Sequence, residues 1–122
     1  MNKPISLVVD DEPDICELLA ITLERMNIRT DTCGDVASAR EHLLANDYDL
    51  CLTDMRLPDG DGLELVEWIQ RSALRTPVAV ITAHGNVETA VKALKVGAFD
   101  FISKPVDLQD LRKLVDSAMR LD

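Results

Sequence analysis

The chain has 122 residues, a length that fits one domain, and it is expected to form a single unit over 1–122. Hydrophobic residues make up 47% and aromatics only 3%, which points to a core of Leu, Val, Ile and Ala such as a helix-covered parallel sheet provides. The formal net charge of -9, from 22 acidic against 13 basic residues, argues against direct binding to nucleic acid or to an anionic membrane surface, while permitting a cation site.

No run approaches the roughly 18–20 apolar residues of a membrane helix, and the N-terminus lacks a signal peptide's apolar stretch and cleavage site. Cys16, Cys33 and Cys51 are scattered through apolar patterns without a Cys-x-x-Cys. Such a set reads as small buried hydrophobes in a reducing compartment, so the expected location is the cytoplasm.

Strand and helix alternate five times. Ile5 to Val9 is a compact β-branched run, as a strand buried on both faces requires. Pro13 suits the first turn of a helix, and Ile15, Leu18, Leu19, Thr22, Leu23 and Met26 give it one apolar stripe. A short strand is predicted near Arg29 to Cys33. Asp35 then caps a helix carrying Val36, Ala39, Leu43 and Leu44. The third strand, Leu50 to Thr53, runs straight into Asp54. The turn formers from Arg56 to Gly62 predict a loop, followed by a helix with Leu63, Val66, Ile69 and Gln70. Pro77 introduces a fourth strand, Val78 to Thr82. Asn86 caps a helix with Val87, Ala90, Val91 and Leu94, closed by Gly97. Phe101-Ile102 is a short fifth strand, and Asp107 caps a last helix with Leu108, Leu111, Leu114, Val115 and Ala118. That helix runs to the end of the sequence, so no output domain is expected within it.

Five such units imply a parallel sheet with helices on both faces. Ligands bind such sheets outside the carboxyl ends of the strands. Asp10, Asp11 and Glu12 follow the first strand, Asp54 the third, Thr82 the fourth, and Ser103-Lys104-Pro105 the fifth. Converging carboxylates repel unless a cation neutralises them. Mg²⁺ suits a few carboxylate oxygens together with water and a phosphate. A carboxylate, with an ordinary pKa of about 3.9, is ionised at neutral pH and needs no general base to attack phosphorus. Lys104 and the cation would stabilise phosphoryl oxygens, and Thr82 can donate a hydroxyl to one of them. The Lys104–Pro105 bond is open to either isomer, since cis costs X-Pro only about 0.5–1 kcal/mol.

The segments Val8-Val9-Asp10-Asp11-Glu12, Thr53-Asp54-Met55-Arg56-Leu57-Pro58 with Asp61-Gly62, Thr82-Ala83 and Lys104-Pro105 together resemble the receiver domains of two-component response regulators. The resemblance covers essentially the whole chain. It implies an α/β flavodoxin-like fold, a doubly wound five-stranded parallel sheet of order 2-1-3-4-5 with five helices. It assigns Asp54 as phosphoacceptor, with Asp11 and Asp54 as direct ligands of Mg²⁺ (or Mn²⁺). Asp10 would bind the metal through water, and Arg56 through its backbone carbonyl. Lys104 and Thr82 would contact the phosphoryl group, and Phe101 falls at an aromatic switch position. Thr82-Ala83-His84-Gly85 and Gly97-Ala98-Phe99-Asp100-Phe101 are similar to receivers of sigma-54-dependent activators of the nitrogen-regulatory class. The implied partners are a sensor histidine kinase and, beyond this sequence, an AAA+ ATPase and a DNA-binding domain. A homodimer through the 87–118 face is a further expectation, and a free-standing receiver acting by protein–protein binding is the alternative.

Simpler readings stand beside several of these. Phe101 read alone is a core aromatic, His84 a solvated loop residue, and Trp68 a packing or half-exposed side chain of the third helix. Asp59 and Asp61 read as turn formers rather than metal ligands, since Gly60 and Gly62 flank them. Three other functions leave signatures that are missing here. An Asp-nucleophile phosphatase of the haloacid dehalogenase type would show Asp-x-Asp after the first strand. A flavodoxin-like cofactor binder would have a Gly- or Ser/Thr-rich loop there, where this loop is acidic. A receiver fold used only for binding would lack Asp54, Lys104 or the acidic pair.

Overall fold

A computed structural model describes residues 3–83 and 86–120, so His84 and Gly85 lie outside the described residues. Its strands are β1 (Ile5–Val9), β2 (Arg29–Cys33), β3 (Leu50–Asp54), β4 (Arg56–Leu57), β5 (Gly60–Asp61), β6 (Val78–Thr82) and β7 (Asp100–Ser103). Its helices are α1 (Pro13–Arg25), α2 (Val36–Ala45), α3 (Gly62–Arg71), α4 (Val87–Lys95) and α5 (Leu108–Met119). The main sheet runs β2-β1-β3-β6-β7, all parallel. Leaving out the β4–β5 hairpin, this is the expected order 2-1-3-4-5. The hairpin itself corrects the expectation of a plain loop: Arg56 pairs with Asp61 and Leu57 with Gly60, antiparallel.

The three central strands are buried on both faces, and their side chains alternate between two cores. Leu7, Val9, Cys51, Val78 and Val80 face a core shared with α2, α3 and α4. Val8, Leu50, Leu52, Ala79 and Ile81 face the other, shared with α1 and α5. Each fully buried Leu, Val or Ile contributes about 1.5–3 kcal/mol, which is what fixes the register of each strand. The polar β2, Arg-Thr-Asp-Thr-Cys, takes an edge, where unsatisfied pairing is least costly.

Helix starts follow their local chemistry. Pro13 is at the first position of α1, and Asp35, Asn86 and Asp107 accept backbone N–H bonds at the starts of α2, α4 and α5. Gly97, just beyond α4, has φ of 123° and supplies the left-handed exit that a side chain would resist. The stripe expected for α1 is corrected. In α1, Leu19, Thr22 and Leu23 are buried but Leu18 is exposed. In α4, Ala90 and Ala93 make the contact, while Val87, Val91 and Leu94 face solvent. Leu44 of α2 and Leu108 of α5 are likewise exposed.

Candidate functional site

The order of the sheet reverses between β1 and β3, and the crevice that such a reversal opens lies beyond their carboxyl ends. Asp10 follows β1 and Asp54 ends β3, one on each side of it. Carboxylate oxygens of Asp10, Asp11, Glu12 and Asp54 all lie within 4.8 Å of one another. Asp10 and Asp54 are buried at 2% and 8% exposure, and Asp11 and Glu12 form the open side. This is a donor set of hard oxygens, some fixed and some free to move, as a divalent cation held partly by water requires.

Lys104 enters from the end of β7 across a cis Lys104–Pro105 bond. Its N–H donates to Thr82 O at 2.8 Å, which ties the turn to the end of β6. Its ammonium stands 3.1 Å from Glu12, 3.3 Å from Asp10 Oδ2 and 3.4 Å from Asp54 Oδ2. Burial alone would lower the Lys104 pKa, but Glu12, Asp54 and Asp10 together hold it above its ordinary value. Asp10 moves up as well. Burial is the main cause, and Asp54 adds to it against the Glu12 N–H and Lys104.

Asp10 Oδ1 accepts the Glu12 N–H at 2.9 Å. Its Oδ2 is fully buried and accepts no hydrogen bond among the described residues, although Lys104 lies nearby. A buried carboxylate oxygen paired with an ammonium at 3.3 Å and clustered with three other carboxylates leaves negative charge that a cation or its water can offset. The other oxygen of Asp54, Oδ1, accepts the Met55 N–H at 2.8 Å, which orients the carboxylate at the strand end.

Thr82 is buried at the end of β6, paired in register with Ser103, one position beyond the Asp54–Ile81 pairing. Phe101 is at 39% exposure on β7 rather than in the core, which removes the simple reading of a core aromatic. The Arg56 side chain is exposed and its backbone begins the hairpin after Asp54. Trp68 is half-buried, with the Arg40 guanidinium 5.5 Å from its ring centroid.

Two residues have positions that the sequence did not reveal. Glu12 is the nearest carboxylate to Lys104; its only sequence signal was adjacency to the acidic pair. Asp59 is no mere turn former. Its carboxylate accepts the N–H groups of Val36 and Ala37 at 2.7 and 3.0 Å, across 23 and 22 residues. Asp61 does the equivalent locally, capping α3 through Glu64 N at 2.8 Å.

With this geometry established, likeness to known proteins becomes informative. The model of the response regulator receiver domain matches residues 6–116. The chain belongs to that family. It is 59% identical over 121 residues to the response regulator protein PilR of Pseudomonas aeruginosa, a match covering 99% of this chain and 27% of that protein. To the DNA-binding transcriptional regulator NtrC of Escherichia coli it is 34% identical, over 98% of this chain and 25% of that one. The receiver domain of NtrX from Brucella abortus superposes with a TM-score of 0.91 at 37% identity, covering 96% of this chain and 99% of that domain. The resemblance to nitrogen-regulatory receivers thus holds. The chain spans about a quarter of the length of these full-length relatives. Among the described residues no helix of this receiver is long and apolar enough to cross a membrane.

Proposed function

We propose that this receiver takes a phosphoryl group from a histidine kinase onto Asp54, and that the phosphorylated state controls a transcriptional output. The observation that carries the reading is the position of the Lys104 ammonium, 3.3 and 3.4 Å from two buried carboxylates in the crevice of the sheet. An Asp54 oxygen attacks phosphorus in line, an O–P bond forms, and the P–N bond of the phosphohistidine breaks. The electron pair leaves on the imidazole nitrogen. Lys104 then faces the phosphoryl oxygens rather than a bare carboxylate, and the Met55 N–H holds Asp54 in aim. Thr82 donates its hydroxyl to a phosphoryl oxygen, and Phe101, exposed on β7 two positions before the Ser103 that pairs with Thr82, reports the change by turning inward.

Asp11 and Asp54 are the residues proposed to hold Mg²⁺ (or Mn²⁺) directly, Asp10 through water and Arg56 by its carbonyl. When bound, the ion supplies positive charge against the phosphoryl oxygens. The buried Asp10 Oδ2 and the four clustered carboxylates support this set. Residues 1–122 act as one receiver unit in the cytoplasm. Likeness to PilR and NtrC supports a sigma-54-dependent activator as the whole protein, with AAA+ and DNA-binding domains as output. Self-association is assigned to the 87–118 face, where Val87, Val91, Leu94 and Phe101 stand exposed.

Incubation with Mg²⁺ and acetyl phosphate, read by intact mass, tests the central claim. One phosphoryl adduct is expected in the wild type, with none after chelation by EDTA and none in Asp54→Asn. A wild type that stays unmodified with a range of donors overturns the reading.

A further inference from the structure

We infer that Asp59 is a positioning residue for the phosphoacceptor site, bracing the β4–β5 hairpin against the N-terminus of α2. The inference rests on the phosphoacceptor reading of Asp54 and adds a residue to it. The hairpin follows Asp54 and Met55 directly, so its placement sets the path of the chain as it leaves the acceptor. On one side it is held by Gly62 N donating to Met55 O at 2.9 Å and by the Asp61 cap of α3. On the other side, among the described residues, the two bonds to Asp59 are the only hydrogen bonds joining 56–61 to α2. Each carboxylate oxygen takes one N–H, so the contact is a two-point clamp with a defined orientation.

The first turn of α2 has no need of Asp59 to be recognised as a helix start. Asp35 already caps it through Ser38 N at 2.7 Å, and Ala39 N reaches Asp35 O at 3.1 Å. Val36 and Ala37 are the remaining donors of that turn, and both are given to a residue of the loop beside the acceptor. Val36 also packs close to Gly60: a Cβ on Gly60 would lie 3.3 Å from its Cγ2. The clamp and this contact place α2 and the hairpin as one body.

The experiment compares wild type, Asp59→Ala, Asp59→Asn and Asp35→Ala, each as the full 122-residue chain. Amide hydrogen exchange is followed by NMR in metal-free buffer, and Mg²⁺ binding by calorimetry. Asp59→Ala should lose protection at Val36 and Ala37 and also across 56–61, and bind Mg²⁺ about tenfold more weakly, the lower end for a residue behind a metal site. Asp59→Asn, which keeps one acceptor oxygen, should recover part of both. Asp35→Ala should loosen α2 while leaving Mg²⁺ affinity as in the wild type. If Asp59→Ala loosens only α2 and keeps wild-type Mg²⁺ affinity, Asp59 is a helix cap and the inference is overturned. Equal weakening of Mg²⁺ binding in Asp35→Ala and Asp59→Ala also overturns it, because general loss of stability then explains both. A wild type that neither binds Mg²⁺ nor accepts a phosphoryl group removes the phosphoacceptor reading itself, and the inference with it.

Discussion

Asp10 holds an electrostatically costly position. It is buried and close to the Asp54 carboxylate, and the Lys104 ammonium 3.3 Å from its Oδ2 offsets only part of the cost of burial. Its raised pKa means that the folded state holds its proton more tightly than the unfolded chain. The ionised form therefore costs stability above the folded pKa, and the cost disappears below the ordinary value of 3.8. Asp10→Asn should accordingly stabilise the metal-free protein at pH 7, by about 0.5–2 kcal/mol, the usual gain from removing a destabilising group kept for function. Urea unfolding in EDTA at pH 7 and pH 3 measures this. The advantage of the Asn variant should shrink at the lower pH, and an advantage that grows on acidification would contradict the assignment of the strain to an ionised Asp10.

The element that most constrains the site is the start of α3 against the exit of β3. A Cβ on Gly62 would stand 2.5 Å from the backbone oxygen of Asp54 and 3.2 Å from Met55 Cα. Neither neighbour is a flexible side chain, so Gly62→Ala must displace the backbone beside Asp54. A loss of about 1–3 kcal/mol is expected from such overpacking, seen as a lower urea midpoint, together with slower phosphoryl uptake from acetyl phosphate. An Ala variant with unchanged midpoint and uptake would show that α3 can shift freely relative to β3. Asp59 and Gly62 thus fix the two sides of one hairpin. In α4 the same scale explains which residues are buried. Its Val87, Ala90, Val91, Leu94 stripe has ideal helical spacing, yet Ala90 and Ala93 pack against the sheet. Small residues let a helix lie closer to its neighbour, and periodicity cannot choose between two possible contact lines.

At the scale of the whole molecule, a net charge of -9 sets two copies against each other. Association therefore needs an apolar contact and should strengthen with salt, which screens the repulsion. Val87, Val91 and Leu94 on α4 with Phe101 on β7 supply exposed apolar surface on one face. Sedimentation with and without a phosphoryl mimic should show a mass increase only with the mimic, larger at higher salt and absent in Val91→Asp. An unchanged mass in both states would remove this face as the site of phosphorylation-dependent assembly.

The order of strands and helices was legible because each signal is local: apolar runs of strand length, Pro13 at a helix start, Asp35, Asn86 and Asp107 as caps. The rim residues Asp10, Asp11, Asp54 and Lys104 were legible for a related reason. In a parallel sheet the chain order alone delivers the residue after each strand to one edge, and these are the residues found together there. What the sequence could not contain is any contact between distant segments. Glu12 reaches Lys104 across 92 residues, and Asp59 accepts the Val36 N–H across 23. The isomer at Lys104–Pro105 and the outward face of α4 depend in the same way on how elements are packed against each other. Local chemistry and strand order determined where Asp54 stands, and tertiary packing alone decided what holds it in place.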